Sequence, residues 1–192
     1  KSHSNLLQVK QRAGLLFKHK KIEELGDLLS ALDKHQDQPS TILYRSLIEG
    51  YLAELRHQPE LALEAYQQIV DRGDCLLEEA LIRIAGLGID AQDKRIAHLA
   101  LQCLSQLNPY YLPLFAEILR LQGDMIAAVD AYSTYITQFP TDVLVQMKLA
   151  TLYTEQGVYE GAEMMLNFIL QRQPDFAPAL GLKRRLSEMS AN

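Results

Sequence analysis

The apolar positions between residues 109 and 174 fall into four amphipathic stretches that repeat as two pairs. Leu112, Phe115, Ala116 and Leu119 recur at helical spacing, and so do Ala127, Ala128, Ala131, Tyr132 and Tyr135. Gly123-Asp124 separates the two: glycine accepts the turn, and the aspartate opens the next helix with negative charge. Pro140 cannot continue the ladder and ends the second stretch, and Thr141-Asp142 offers a cap to the third. Thirty-four residues on, Ala150, Tyr153, Gly157, Ala162, Leu166 and Pro174 stand where Ala116, Leu119, Gly123, Ala128, Tyr132 and Pro140 stood, with Ile169 as a further packing position. A period between twenty and fifty residues marks a repeat architecture, here of stacked helical hairpins.

The paired small residues explain the geometry. Alanine or glycine on each helix lets two axes approach, and a leucine at Ala116 or Ala128 would overpack the site by roughly 1–3 kcal/mol. The same pair recurs upstream as Ala85 with Ala97 and Gly50 with Ala62, always twelve residues apart, while the spacing between hairpins varies from 31 to 35. Pro59 suits a helix start. The third hairpin has no turn glycine; Gly86 and Gly88 fall late in its first helix, which predicts a short or distorted element. Residues 1–40 read as a degenerate hairpin, with Leu6, Leu7, Val9, Ala13, Leu16 and Phe17 in one helix, Ile22, Leu25, Leu28, Leu29 and Leu32 in the next, and residues 36–40 closing it. Repeats follow at 41–74, 76–107, 109–140 and 142–174. Asp175 and Pro178 open a last helix, 176–189, whose polar Lys183, Arg184, Arg185, Ser187 and Glu188 suit an end unit on which nothing stacks. The expectation is one all-α domain over 1–192: eleven helices, five hairpins plus a capping helix.

Composition narrows the function classes. A chain of 192 residues with 48% hydrophobic content can bury a core. A net charge of −5 and the absence of a basic run interleaved with aromatics argue against nucleic acid. The short clusters Lys18-His19-Lys20-Lys21 and Lys183-Arg184-Arg185 read as solvated helix ends. Two cysteines, Cys75 and Cys103, are too few for a disulfide framework; each reads as a small apolar filler or a loop thiol, and their presence leans toward a reducing, cytoplasmic setting. No apolar run reaches the ~18 residues of a membrane span. A start at Lys1 in place of Met reads as a fragment or a processed form.

The segments FAEILRLQGDMIAAVDAYSTYITQFP and LATLYTEQGVYEGAEMMLNFILQRQP resemble the tetratricopeptide-repeat family in period, alanine pair, hairpin glycine, following aromatic and terminal proline. The family's leading tryptophan is replaced by Leu112 and Gln146. The resemblance implies a right-handed superhelix, an α-solenoid whose first helices line a concave groove that binds peptides, helices or other protein segments. The groove-facing candidates are then Tyr44, Leu47 and Tyr51; Glu79, Ile82, Arg83 and Gly86; Tyr110, Leu114 and Glu117; and Leu144, Met147, Lys148 and Thr151. The lysine, asparagine and arginine clamp by which one subclass holds a C-terminal carboxylate is not supplied. A mainly apolar, tyrosine-bearing face suits an amphipathic helix or an extended apolar segment.

No P-loop, dinucleotide glycine fingerprint, HExxH or CxxC occurs, and His3, His19, His35, His57 and His98 are scattered without metal-ligand spacing. The reading is therefore a scaffold without catalytic residues, cofactor or metal, holding a partner protein or peptide, with the tyrosines as anchors and Arg83, Glu117 and Lys148 setting register. The alternatives are a self-associating assembly domain that forms a homodimer, and a regulatory accessory domain of a larger protein. On the groove reading, Tyr51→Ala or Leu114→Ala weakens association and spares the fold; unfolding would instead place those residues in the core.

Overall fold

The computed structural model describes residues 2–32, 39–72 and 78–190. His35, Gln36, Asp37, Gln38 and Cys75 lie outside the described residues, as do the side chains of His3 and Leu6. Eleven α-helices occur among the described residues: α1 (Ser2–Lys18), α2 (Ile22–Leu32), α3 (Pro39–Leu55), α4 (Pro59–Asp71), α5 (Glu78–Asp90), α6 (Lys94–Leu107), α7 (Leu112–Gln122), α8 (Met125–Gln138), α9 (Val143–Glu155), α10 (Tyr159–Arg172) and α11 (Ala177–Ser190). They pair as α1/α2, α3/α4, α5/α6, α7/α8 and α9/α10, with α11 packed on α10 and α9. Pro39 opens α3 and so belongs to the start of the second hairpin. The 109–140 repeat opens with a 3-10 turn, Pro109–Tyr111, where Tyr110 N donates to the Asn108 side-chain oxygen, and α7 follows only at Leu112. The helices form two compact units, residues 1–107 and 108–192. The division falls at Asn108-Pro109-Tyr110, in the connection where successive hairpins, Ala85 to Ala116, are only 31 residues apart.

Each hairpin turns on one residue in the left-handed region: Lys20 (φ 56°), His57 (φ 58°), Gln92 (φ 57°), Gly123 (φ 87°) and Gly157 (φ 73°). At four of these turns the residue's own N–H bonds the carbonyl three back and the next N–H bonds the carbonyl five before its own residue, as in His57 N to Glu54 O and Gln58 N to Ala53 O. These bonds satisfy the last carbonyls of the first helix. The geometry of the turn is common to all five hairpins, and only two supply the glycine that adopts it without strain. Lys20→Gly, His57→Gly and Gln92→Gly should therefore each raise stability by about 0.5–1 kcal/mol in denaturant titrations, and Gly123→Ala should lower it by about as much.

The small-residue pairs are buried as expected: Ala85 with Ala97, Ala116 with Ala128, and Ala150 with Ala162. α5 is neither short nor distorted. Gly88 is instead a close-approach position, where an added Cβ would come within 3.0 Å of Ala97 N on α6. In the second unit one core joins Ala116, Leu119, Ala128, Tyr132, Leu149 and Leu152 across α7, α8 and α9, and the next joins Ala150, Ala162, Leu166, Ala179 and Leu182 across α9, α10 and α11. In this unit α8 thus lies between α7 and α9, and α10 between α9 and α11. Asp124 and Asp142 cap α8 and α9 through Ala127 N and through Leu144 N and Val145 N. Asp175 stands ahead of the cap position of α11, which begins at Ala177.

Two positions depart from expectation. Cys103 on α6 is disulfide-bonded, so the free-thiol reading does not hold for it, and the ground it lent to a reducing setting falls away. Gln146, standing where the resemblance leads one to expect tryptophan, is buried; its Nε2 donates to Pro140 O, but its Oε1 has no partner. A buried orphan acceptor costs about 1–3 kcal/mol. Gln146→Leu removes it at the expense of one hydrogen bond to Pro140, which lies at the surface where water can replace the donor. The expected result is a gain of about 1 kcal/mol, read as a higher melting temperature of the second unit.

Candidate binding groove

By repeat register Tyr44, Glu79, Tyr110 and Leu144 are equivalent positions in or just ahead of the first helices of their hairpins, followed by Leu47, Ile82 and Met147, then Arg83, Leu114 and Lys148, and then Tyr51, Gly86, Glu117 and Thr151. The two units treat this stripe differently.

In the first unit α1, α3 and α5 line a groove of about 940 Å³. Its walls are Leu7, Lys10, Gln11, Leu15 and Lys18 from α1 and Glu78, Glu79, Ile82 and Arg83 from α5, with Phe17 and Tyr51 at the floor. Leu47 (1% exposed) and Tyr51 (3%) are core residues, which corrects their assignment to an open surface; Tyr44 is half-buried. The cause is α1. Phe17 stacks on the Tyr51 ring with centroids 4.2 Å apart, and Tyr51 in turn meets Tyr66 edge-on at 6.5 Å. Burial, with the Glu79 charge behind it, pushes the Tyr51 hydroxyl up to about 12. Arg83 is partly committed inside the protein: its guanidinium lies 4.3 Å from the Phe17 ring centroid, and its Nε donates to Glu54 Oε1 at 2.9 Å while Nη2 reaches the other oxygen. Tyr66 donates to the same carboxylate at 2.6 Å, and burial and that bond hold its hydroxyl far above the ordinary tyrosine range. Glu79 and Ile82 stay exposed on the wall.

In the second unit the stripe is open. Leu114 and Leu144 (65%) are exposed, as are Lys148 and Thr151, and Met147 is half-buried. Glu117 accepts from Arg120 Nη2 at 2.7 Å and from Tyr132 Oη at 3.1 Å, and Arg120 lies 3.8 Å from Glu155 on α9. The Arg120 bond chiefly holds the Glu117 carboxyl below the usual carboxylate range. Tyr110 is 64% exposed but leaves the stripe: its ring stacks on Phe139 at 4.4 Å and meets Tyr135 edge-on at 6.4 Å, at the C-terminal end of α8. It packs there because the 3-10 turn carries it ahead of α7.

Each unit thus holds a buried tyrosine of a second helix, a glutamate of a first helix and an arginine in one network. Phe17 and Glu54 were not among the sequence candidates. For Glu54 a signal existed, since it follows Gly50 by four residues on the face toward Tyr66. For Phe17 none did, because its contact with Tyr51 depends on how closely α1 approaches α3. Among the described residues no group of three or more His, Cys, Asp or Glu side chains could hold a metal, and no helix is long and apolar enough to cross a membrane.

Hairpins repeated at this period, closed on paired small residues and continued from core to core, define an all-α helical-repeat scaffold of the solenoid class. The chain has the tetratricopeptide-repeat fold, and solved structures similar to it carry that description. YrrB, a tetratricopeptide-repeat protein described as having an unusual peptide-binding site, superposes with a TM-score of 0.60 at 19% identity, over 92% of this chain and 90% of that one. MamA superposes with a TM-score of 0.54 at 18% identity, over 83% and 95%. The nearly identical TPR-like repeats of a putative kinesin light chain from Podosopora anserina give 0.57 at 14% identity, over 90% and 98%. No protein-family profile matches the chain, and no curated protein matches it at a significant level.

Proposed function

We infer that the protein is a protein-interaction scaffold that holds a segment of a partner against the faces of its first hairpin helices. The observation that carries this reading is the groove of about 940 Å³ between α1, α3 and α5, with exposed Leu15 and Ile82 on facing walls. Apolar side chains beside charged ones on a concave surface suit recognition of a peptide or helix, where a few apolar anchors supply most of the affinity and the charged rim supplies specificity. The open stripe of the second unit, with Leu114, Glu117, Leu144, Met147, Lys148 and Thr151, offers the same chemistry. The peptide-binding site described for YrrB lends support by analogy.

The test is selection of binders from a displayed random-peptide library on the immobilised chain, followed by affinity measurement against Ile82→Glu and Leu114→Glu. Both positions are surface-exposed, so both variants should melt as the parent does. Selected peptides should lose at least about tenfold in affinity on one variant, the effect of losing about 1.4 kcal/mol of anchor contact. Peptides that bind both variants as well as the parent would place the site elsewhere.

A further inference from the structure

We propose that Cys103 is bonded to Cys75 of the same chain, and that this disulfide, made in an oxidising compartment, ties α6 to the entry of α5. The inference stands apart from the binding reading above and concerns what completes the first unit. Cys103 is disulfide-bonded and buried on the face of α6 that carries Ala97, Ala100, Leu101 and Leu104. The chain holds one other cysteine, Cys75, three residues ahead of Glu78, where α5 begins.

The register of the hairpin favours this pairing. α5 and α6 pack as its two arms, with Gly88 against Ala97. Cys103 stands six residues beyond Ala97 on α6, and Ile82 stands six residues back from Gly88 on α5. Cys103 is therefore level with Ile82, about 6 Å along the helix axis from Glu78. Three residues of chain span up to about 10 Å, so a cysteine three residues ahead of α5 can reach that level. A disulfide needs no more than Cα atoms about 5.5–6 Å apart. A cross-link also has something to add here. α5 carries Gly86 and Gly88 in its interior, which weakens a helix, and the hairpin turns on Gln92 at a φ of 57° in place of glycine. A bond from 75 to 103 closes a loop that holds all of α5 and the turn, and so restricts the unfolded chain across a segment whose own local signals are poor. In forming it the two thiols give up two protons and two electrons to the disulfide of a thiol oxidant, which leaves as two thiols. Such bonds persist where thiols are not kept reduced, hence the oxidising compartment. Cys103, 9% exposed, is shielded from reductant once the bond is made.

The test begins with a tryptic map of the whole chain, alkylated without reduction. Segments 73–83 and 96–120 should appear as one linked species, with no alkylated cysteine. Reductant should lower the melting temperature of the first unit by at least about 10 °C. Cys75→Ser should melt at that lower temperature with or without reductant, since it removes the bond and leaves the buried α6 position intact. Chain made in the reducing cytosol of an expression host, and alkylated at lysis, should carry two free thiols; chain exported to an oxidising periplasm should carry none. Free thiols in the exported chain, a linked species of twice the mass on a non-reducing gel, or a melting temperature indifferent to reductant would each overturn the intrachain staple. A bond already closed in the cytosolic chain would overturn the compartment.

Discussion

Gly50→Ala should destabilise the first unit by about 3 kcal/mol, the upper end of what overpacking costs, with little effect on the second. A methyl group at Gly50 would stand 2.0 Å from Tyr66 Cε1, far inside van der Waals contact. The ring has nowhere to go: Tyr66 is fully buried, meets Tyr51 edge-on and is held at its hydroxyl by Glu54, which also anchors Arg83. The second unit holds both arrangements, Ala150 with Leu166 and Ala116 with Tyr132, so an alanine is compatible with the repeat where the ring is smaller or is set differently, whereas in the first unit the Tyr66 ring lies against Gly50 itself. The double variant Gly50→Ala/Tyr66→Leu should therefore recover part of the stability that Gly50→Ala loses, where independent sites would simply add. Urea titration followed by circular dichroism of the four members of this cycle gives the coupling. An additive cycle would mean that α3 and α4 move apart freely and that the glycine is not a close-approach residue.

Tyr51→Ala should cost about 3–5 kcal/mol, the loss typical of a large buried aromatic, and should unfold the first unit before any effect on binding can be read. The sequence-based expectation of an exposed anchor is replaced by a core residue stacked on Phe17. Phe17→Ala should then be destabilising too, although it lies two hairpin helices away in the chain. The hydroxyl supplies a separate signature. The folded-state value of about 12 lies above the ordinary value of 10.0. The protein therefore holds this group neutral, stabilisation is present in full below pH 10, and it is lost as pH rises toward about 12. Tyr51→Phe should blunt that alkaline loss while leaving neutral-pH stability within about 1 kcal/mol of the parent. An unchanged alkaline limb would place the titration on another group, with Tyr66 the first to try.

Much of the fold was legible because it is set by local rules. Ala116 with Ala128 and Ala150 with Ala162 recur twelve apart, Gly123 and Gly157 mark turns, and Asp124 and Asp142 cap the helices they precede. Where the turn residue is Lys20, His57 or Gln92, the same left-handed geometry carries no sequence mark, since the stacked helices impose it on residues that do not favour it. The candidate site was legible only as a stripe. Equivalent positions along the stripe share a helix face, so the register of Arg83, Leu114 and Lys148 followed from the period. Which of them reach solvent did not.

The chain alone determined that it forms helical hairpins, where two of them turn and which small residues let them close, because propensity, capping and side-chain periodicity act within a few residues of one another. The tertiary structure alone decided that Tyr51 and Leu47 are core while Leu114 and Leu144 are open, that Gly50 admits no methyl group and that Glu54 gathers Tyr66 and Arg83. Those outcomes depend on the distance between helix axes. It is fixed by the packing of all side chains at a contact together, and a shift of an ångström exchanges a buried ring for an open groove.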